Sequence, residues 1–325
     1  MGRRRKGLPI HGWLVIDKPL EMTSTAVVSA VRRITGAAKV GHGGTLDPLA
    51  TGILPVALGE ATKTVSHVMD GRKLYRMGVR WGEQRDTDDG EGRVIATSEA
   101  RPTLDQVRAA LPAFTGVIDQ VPPRFSAVKI DGRRAYDLAR ADADAPVDLK
   151  ARPVRIDSIT ILTSAEEAVA SPDRLDLLIA AGKGTYMRSL ARDLAAALGT
   201  CAYMDSLRRL SCGPFDESHA ISLDHLESLG HSAAGSDALL SVETALDDIP
   251  ALALTDTEAR RLAMGQPVAL PPLLSRMGDA ACGIAQPSAP DAPDERVYKA
   301  MSGTRLVAMA RIVGGEIRPV RVMNL

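Results

Sequence analysis

The order of apolar and polar positions changes period repeatedly along the chain, which interleaves helices with strands. Residues 13–19, "WLVIDKP", read as a short apolar strand stopped by Pro19. "TSTAVVSAVRRITG" follows with helical character, Thr23 or Ser24 placed to cap it and Gly36 to close it. After a glycine-rich loop, "ILPVAL" is a second buried strand and "GEATKTVSHVMDG" a helix ending at Gly71. "KLYRMGVRW" alternates like a half-buried strand, and "DTDDGEG" turns the chain into "RVIAT". A helix "TLDQVRAALPAF", a loop "VPPRFSAVKIDGRRAYDLARA" and strands "VRIDSITIL" and "RLDLLIAA" come next. "GTYMRSLARDLAAALG" is the strongest helix, closed by Gly199. Residues 215–245 are polar and weakly patterned apart from "SLDHLESLG", as a linker would be. Beyond them, "LTDTEARRLAMGQPVALP", a Pro/Ala/Asp loop at 286–295 and strands "RLVAMARIV" and "EIRPVRVM" suggest a small β-rich terminal domain. Irregular alternation with hairpins predicts an α+β fold with a mixed sheet rather than a doubly wound one.

At 325 residues the chain is long enough for two domains, and 45% hydrophobic with 25% charged residues is ordinary for a soluble protein. Cys201, Cys212 and Cys282 form no CxxC pair, which argues against zinc or a disulfide framework and fits a reducing compartment. With no signal-peptide core and no membrane-length apolar run, the expected location is cytoplasmic. Formal net charge is +0, so a nucleic-acid partner would have to be met by local clusters such as "RRRK", "RKLYR" and "LRRL". Aromatic residues are only 3% of the chain, yet Tyr75 and Tyr186 both stand beside arginine. That pairing suits stacking on an unpaired base with a phosphate contact, and equally a core tyrosine with a bonded hydroxyl.

Several chemistries fail on spacing. In "GKGT" (182–185), Lys183 is followed by glycine and no glycine stands five residues before it, so the phosphate-loop pattern is broken. "DTDDGEG" has glycine at the fifth position and no closing glutamate, so it is a hairpin turn rather than a calcium loop. The six histidines never take metal-ligand spacing, so no metal and no cofactor is expected. What remains on display is Asp47 inside "GHGGTLDPLATG" (41–52), read either as a tight Asp-Pro surface turn or as one carboxylate given unusual backbone freedom.

"GWLVIDKPLEMTS", "GHGGTLDPLATGILP", "KLYR", "VPPRFSAVKIDGRRAYDLAR", "GTYMRSLARDL" and "LRRL", in that order, resemble the TruB family of tRNA pseudouridine synthases over most of residues 10–212. The terminal segment resembles, weakly, a PUA-type RNA-binding domain. The resemblance implies a largely antiparallel central sheet flanked by helices, a catalytic domain over 1–245 with an RNA-gripping insertion near 122–146, and a PUA-like domain over 246–325. Stretches near 164–174, 229–237 and 275–296 match nothing in it and are expected to be surface insertions. It implies cofactor-free isomerisation of uridine in the T-arm stem-loop of tRNA (position 55) by a cytoplasmic monomer that needs no guide RNA. Asp47 matches the catalytic aspartate, and its glycines would let a flipped-out nucleotide approach. Tyr75 matches the tyrosine stacked on the target base, and Arg188 the arginine paired with the carboxylate. Tyr186 and Leu207 match pocket walls, and His42 a residue filling the space the nucleotide vacates. Lys18 and Lys63 match basic residues near the pocket, with structural ion pairing the alternative for each. Arg133 and Arg134 in the insertion, and Arg208 and Arg209 beside the pocket, are expected to grip phosphate.

Three rivals follow. A guide-RNA-dependent synthase of the same superfamily is opposed by the insertion segment. A tRNA-folding chaperone is separable through Asp47→Asn, which stops isomerisation and spares binding. An unrelated metal-free glycosidase would release free uracil.

Overall fold

A computed structural model of the chain describes residues 7–126, 128–130, 133–134, 149–277 and 296–325, without the side chains of 129, 130, 133, 134 and 234. The run expected as the first strand is β1 (Gly12–Lys18), buried along almost its whole length. β2 (Val40–His42) and β3 (Ala50–Leu58) bracket the glycine loop, and β4 (Lys73–Trp81) follows. β5 (Glu83–Arg85) and β6 (Val94–Thr97) form the hairpin around "DTDDGEG". β7 (Gly116–Gln120) was not legible in the pattern, because an edge strand exposed on most positions carries little apolar signal. β8 (Lys129–Ile130) and β9 (Arg133–Arg134) make a small hairpin inside the insertion, most of which lies outside the described residues.

β10 (Arg152–Ile161), β11 (Arg174–Ala181), β12 (Ala202–Cys212), β13 (Phe215–Asp216) and β14 (Ala220–Ile221) complete the main sheet. Its order is β14-β1-β3-β12-β4-β11-β10-β7, with β2 on β3 and β13 on β12. Only β1·β14 and β3·β12 run parallel along that path, so the fold is α+β with a mixed, largely antiparallel sheet.

Most helices cover one face, while Val68 packs a short one against the other. Thr23 caps α1 (Ser24–Thr35), accepting from the Ala26 amide, and Gly36 ends it in the left-handed conformation at φ 68°. Residues 59–71 are not one helix but a 3₁₀ turn (Gly59–Lys63) followed by α2 (Val65–Asp70). The break falls at Thr64, whose hydroxyl and amide both turn back to the Ala61 carbonyl. α3 (Leu104–Ala110), α4 (Ala165–Ala170), α5 (Met187–Ala197) and α6 (Leu223–Leu229) follow. α1, α3, α5 and α6 bury apolar residues against the sheet, while α4, in an expected surface insertion, buries none. The 215–245 segment is no linker: Leu226, Val242 and Ala245 are buried, and Leu240 bridges to Trp13.

The terminal segment contains β15 (Ala251–Ala253), α7 (Asp256–Ala263), β16 (Val268–Ala269), α8 (Leu270–Met277), β17 (Tyr298–Ser302), β18 (Arg305–Val313) and β19 (Glu316–Val322). Its strands order as β15-β17-β18-β19-β16 around a separate core. The two units share a third cluster, in which Leu306, Met309 and Met323 pack with Trp13, Val15, Ile53 and Phe215.

Candidate active site

Asp47 sits on the loop that joins β2 to β3, and that loop is clamped from two sides. The buried Ser24 hydroxyl donates to the Leu46 carbonyl at 2.9 Å and accepts from the Leu46 amide at 2.8 Å. Lys18, 0% exposed, donates to the carbonyls of Pro19, Met22 and Pro48 at 2.8, 2.6 and 3.2 Å. Its ammonium therefore ties the turn after β1 to the residue following Asp47. Burial pulls the Lys18 ammonium down in pKa, and the nearby Asp47 charge opposes that shift.

Two of the glycines, Gly43 and Gly52, serve the protein's own packing. A Cβ on Gly52, at φ +95°, would stand 2.2 Å from the Arg209 carbonyl oxygen, and one on Gly43 would stand 2.8 Å from Val68 Cγ1. The contact at Gly52 arises because β3 and β12 pair in parallel with Gly52 opposite Arg209.

The adjacent arginines of "LRRL" separate because successive side chains of a strand leave on opposite faces. Arg208 makes two 3.0 Å bonds to Asp17 and also reaches Glu217. Arg209 turns inward, 1% exposed, and donates to the carbonyls of Ile53 (2.7 Å), Gly44 (3.1 Å) and Thr45 (3.4 Å). The expectation that Arg209 grips phosphate is corrected on this burial: its guanidinium holds the Asp47 loop from beneath. Tyr75 lies directly across from Arg209 in the β12·β4 register. Burial pushes the Tyr75 phenol up in pKa against the pull of Arg209, so it keeps its proton at neutral pH.

Arg188, in the first turn of α5, is 6% exposed. Its Nε lies 3.0 Å from Asp47 Oδ2, whose side chain remains 37% exposed. Its other nitrogens donate to the carbonyls of Thr87 and Phe125 at 3.1 Å each, and Nη1 stands 3.5 Å from Asp89 Oδ2. One carboxylate is thus held on one oxygen by a buried cation while its side chain stays partly exposed. Asp88, Asp89 and Arg192 were missed by the sequence reading, which took "DTDDGEG" only as a turn. The available signal was Arg188 and Arg192 four apart on one helix, facing a paired-acid turn.

Tyr186 precedes α5, its backbone bonded at both ends by the Gln120 side chain, and burial raises its phenol. Its hydroxyl and that of Tyr75 both feel the Asp47 charge. Leu207 is 8% exposed and belongs to the main core. His42 accepts the Gly44 amide on Nδ1 at 3.3 Å, and burial with the Arg209 charge lowers its pKa. Lys63 is not brought to Asp47: it bonds Glu60 at 2.6 Å and the Val322 carbonyl at 2.7 Å, joining the two units. Arg133 and Arg134 lie in β9, and their side chains fall outside the described residues. Among the described residues no cluster of His, Cys, Asp or Glu could hold a metal, and no helix is long and apolar enough to cross a membrane.

Residues 32–187 match the N-terminal domain model of the TruB family of pseudouridylate synthases, and residues 188–247 match the tRNA pseudouridylate synthase B C-terminal domain. The chain belongs to the TruB family. Similar relatives are both called tRNA pseudouridine synthase B. The one from Rhodospirillum rubrum is 57% identical and the one from Caulobacter vibrioides 50%, each with 100% of both chains covered. Among solved structures, an H/ACA RNP bound to a substrate RNA containing 2'-deoxyuridine matches with TM-score 0.68 at 21% identity, covering 100% of this chain and 92% of that one. An archaeal box H/ACA sRNP Nop10-Cbf5 complex matches with TM-score 0.68 at 23% identity, covering 99% and 92%. At such identities these structures speak to the fold alone, which agrees with the TruB assignment. The Asp47 loop falls within the N-terminal family match, and Arg188 opens the C-terminal one.

Proposed function

We propose that this chain isomerises uridine 55 in the T-loop of tRNA to pseudouridine, without cofactor or guide RNA, using Asp47 on a flipped-out nucleotide. The observation that carries the reading is the half-open Asp47 carboxylate fixed at 3.0 Å by buried Arg188. The reaction breaks the N1–C1′ bond, turns the base and forms C5–C1′; the C5 proton leaves, a proton is taken up at N1, and no electrons are gained or lost. Asp47 can begin it by attack at C1′, by addition at C6 or by assisting a glycal, and each route uses the carboxylate that Arg188 holds in place. Tyr75, still protonated and within the field of the Asp47 charge, supplies a ring for the base to stack on and a hydroxyl near the proton to be moved. Neutral His42 fits a space-filling role in the vacated stack. Residues 1–245 carry catalysis in this reading, and the β-rich segment over 246–325 binds RNA as a PUA-like unit. The enzyme works as a cytoplasmic monomer.

The test is incubation of the purified protein with a bare T-arm stem-loop, followed by carbodiimide mapping of pseudouridine. Wild type should convert the T-loop uridine at position 55, and Asp47→Asn should bind without converting. An inert hairpin alongside reactive whole tRNA would place essential contacts outside the T-arm.

A further inference from the structure

One turn along α5 from Arg188, a second arginine meets a second aspartate. Arg192 Nη1 lies 2.9 Å from Asp88 Oδ2, and Asp88 is 6% exposed. Asp88 stands between Thr87, whose carbonyl accepts from Arg188, and Asp89, whose carboxylate faces Arg188. Its backbone is left-handed at φ 60°, a conformation aspartate tolerates and most side chains resist. That bend lets the residues on either side of Asp88 present acceptors to one guanidinium. Asp89 is braced in turn by the Thr87 hydroxyl at 2.6 Å and the Glu91 amide at 3.1 Å. Arg192 and Arg188 also reach the carbonyls of Val121 and Phe125, so both arginines hold the same segment leading into the insertion.

We propose that Asp88 and Arg192 are a positioning pair that fixes the 87–89 turn against α5 and so aims Arg188 at Asp47. The proposal rests on the reading of the site given above. The bonds of this pair are made within the protein, and it works through Arg188.

Its charge state gives the pair a signature. Burial raises the Asp88 carboxyl to about 6, against the pull of Arg192 and Arg188 and with the push of Asp193, all on α5. From its own turn Asp89 and Arg85 are its charged neighbours, Asp88 donating its amide to the Arg85 carbonyl; from β12 it receives the Met204 amide. A carboxyl raised in the folded state adds stability that is fully present at low pH and lost as pH rises through about 6. Ionised Asp88 therefore weakens the fold at neutral pH while completing the arginine pair.

The experiment compares wild type with Asp88→Asn, which keeps the bend and an acceptor for Arg192 but removes the charge. Single-turnover conversion of a T-arm stem-loop, its Kd and thermal unfolding are measured between pH 5.5 and 8. The wild-type rate should climb as pH rises through about 6. The variant should lose that climb and run roughly tenfold slower on the plateau, the scale of one charge-assisted bond made neutral. Its Kd should be unchanged, and its melting temperature equal to or above wild type at pH 8. The climb should persist in His42→Gln, which removes the imidazole flanking the Asp47 loop. A variant that retains the climb, or that loses stability and rate together at pH 8, overturns the proposal. A wild type that makes no pseudouridine at any pH would instead overturn the functional reading beneath it.

Discussion

Replacing Arg209 with methionine separates a scaffold from an RNA ligand. The guanidinium is 1% exposed and makes two close bonds, 2.7 Å to Ile53 and 3.1 Å to Gly44, with a longer one to Thr45. A hydrogen bond to a charged group contributes about 1.5–3 kcal/mol, and the buried carbonyls left behind add to the loss. Against this, methionine removes a buried charge that was costly to desolvate. The net destabilisation should be about 3 kcal/mol, which lowers the melting temperature by roughly 6–12 °C for a catalytic unit of this size. Thermal unfolding measures that directly. Stem-loop binding between 50 and 200 mM salt measures the other half, because a lost phosphate contact would flatten the log–log salt slope by about 0.7–0.9. The structure requires the melting temperature to fall and the slope to hold. An unchanged melting temperature with a flatter slope would show that Arg209 faces phosphate after all.

Arg188→Met should slow single-turnover conversion by roughly 10–10²-fold with little change in RNA affinity, from about 1.5–3 kcal/mol for a hydrogen bond to a charged group at a partly exposed carboxylate. Equal losses in rate and binding would make Arg188 a phosphate contact. Gly52→Ala should cost about 3 kcal/mol or more, since its Cβ would meet the Arg209 carbonyl at 2.2 Å across a strand pair; a urea midpoint within error of wild type would refute the register drawn here. Deleting residues 247–325 should expose Trp13, Val15, Ile53 and Phe215 and give an aggregating, dye-binding fragment rather than one merely weaker for RNA. A monomeric fragment with a wild-type melting temperature would show that the shared cluster contributes nothing.

The residues by themselves determined the local elements whose signals are local. Thr23 and Gly36 bound α1, the alternation of 73–81 makes β4, and the acidic hairpin turns where its glycines stand. They also displayed Asp47, Tyr75 and Arg188 in motifs dense enough to carry a family. What they could not display is anything set by register or long-range packing. Arg208 and Arg209 look alike as neighbours in a run, but a strand sends them to opposite faces, one to Asp17 and one into the core. Lys63 belongs to the seam with the terminal unit because its partner carbonyl lies 259 positions away, at Val322. The loop glycines look like space for a base, yet at Gly43 and Gly52 the space is taken by Val68 and by the Arg209 backbone. Asp88 and Asp89 look like turn residues until α5 is laid beside them. Sequence shows which groups exist and which local geometry they favour; only the folded chain decides which distant groups share a low-dielectric interior, where pairing and pKa are set.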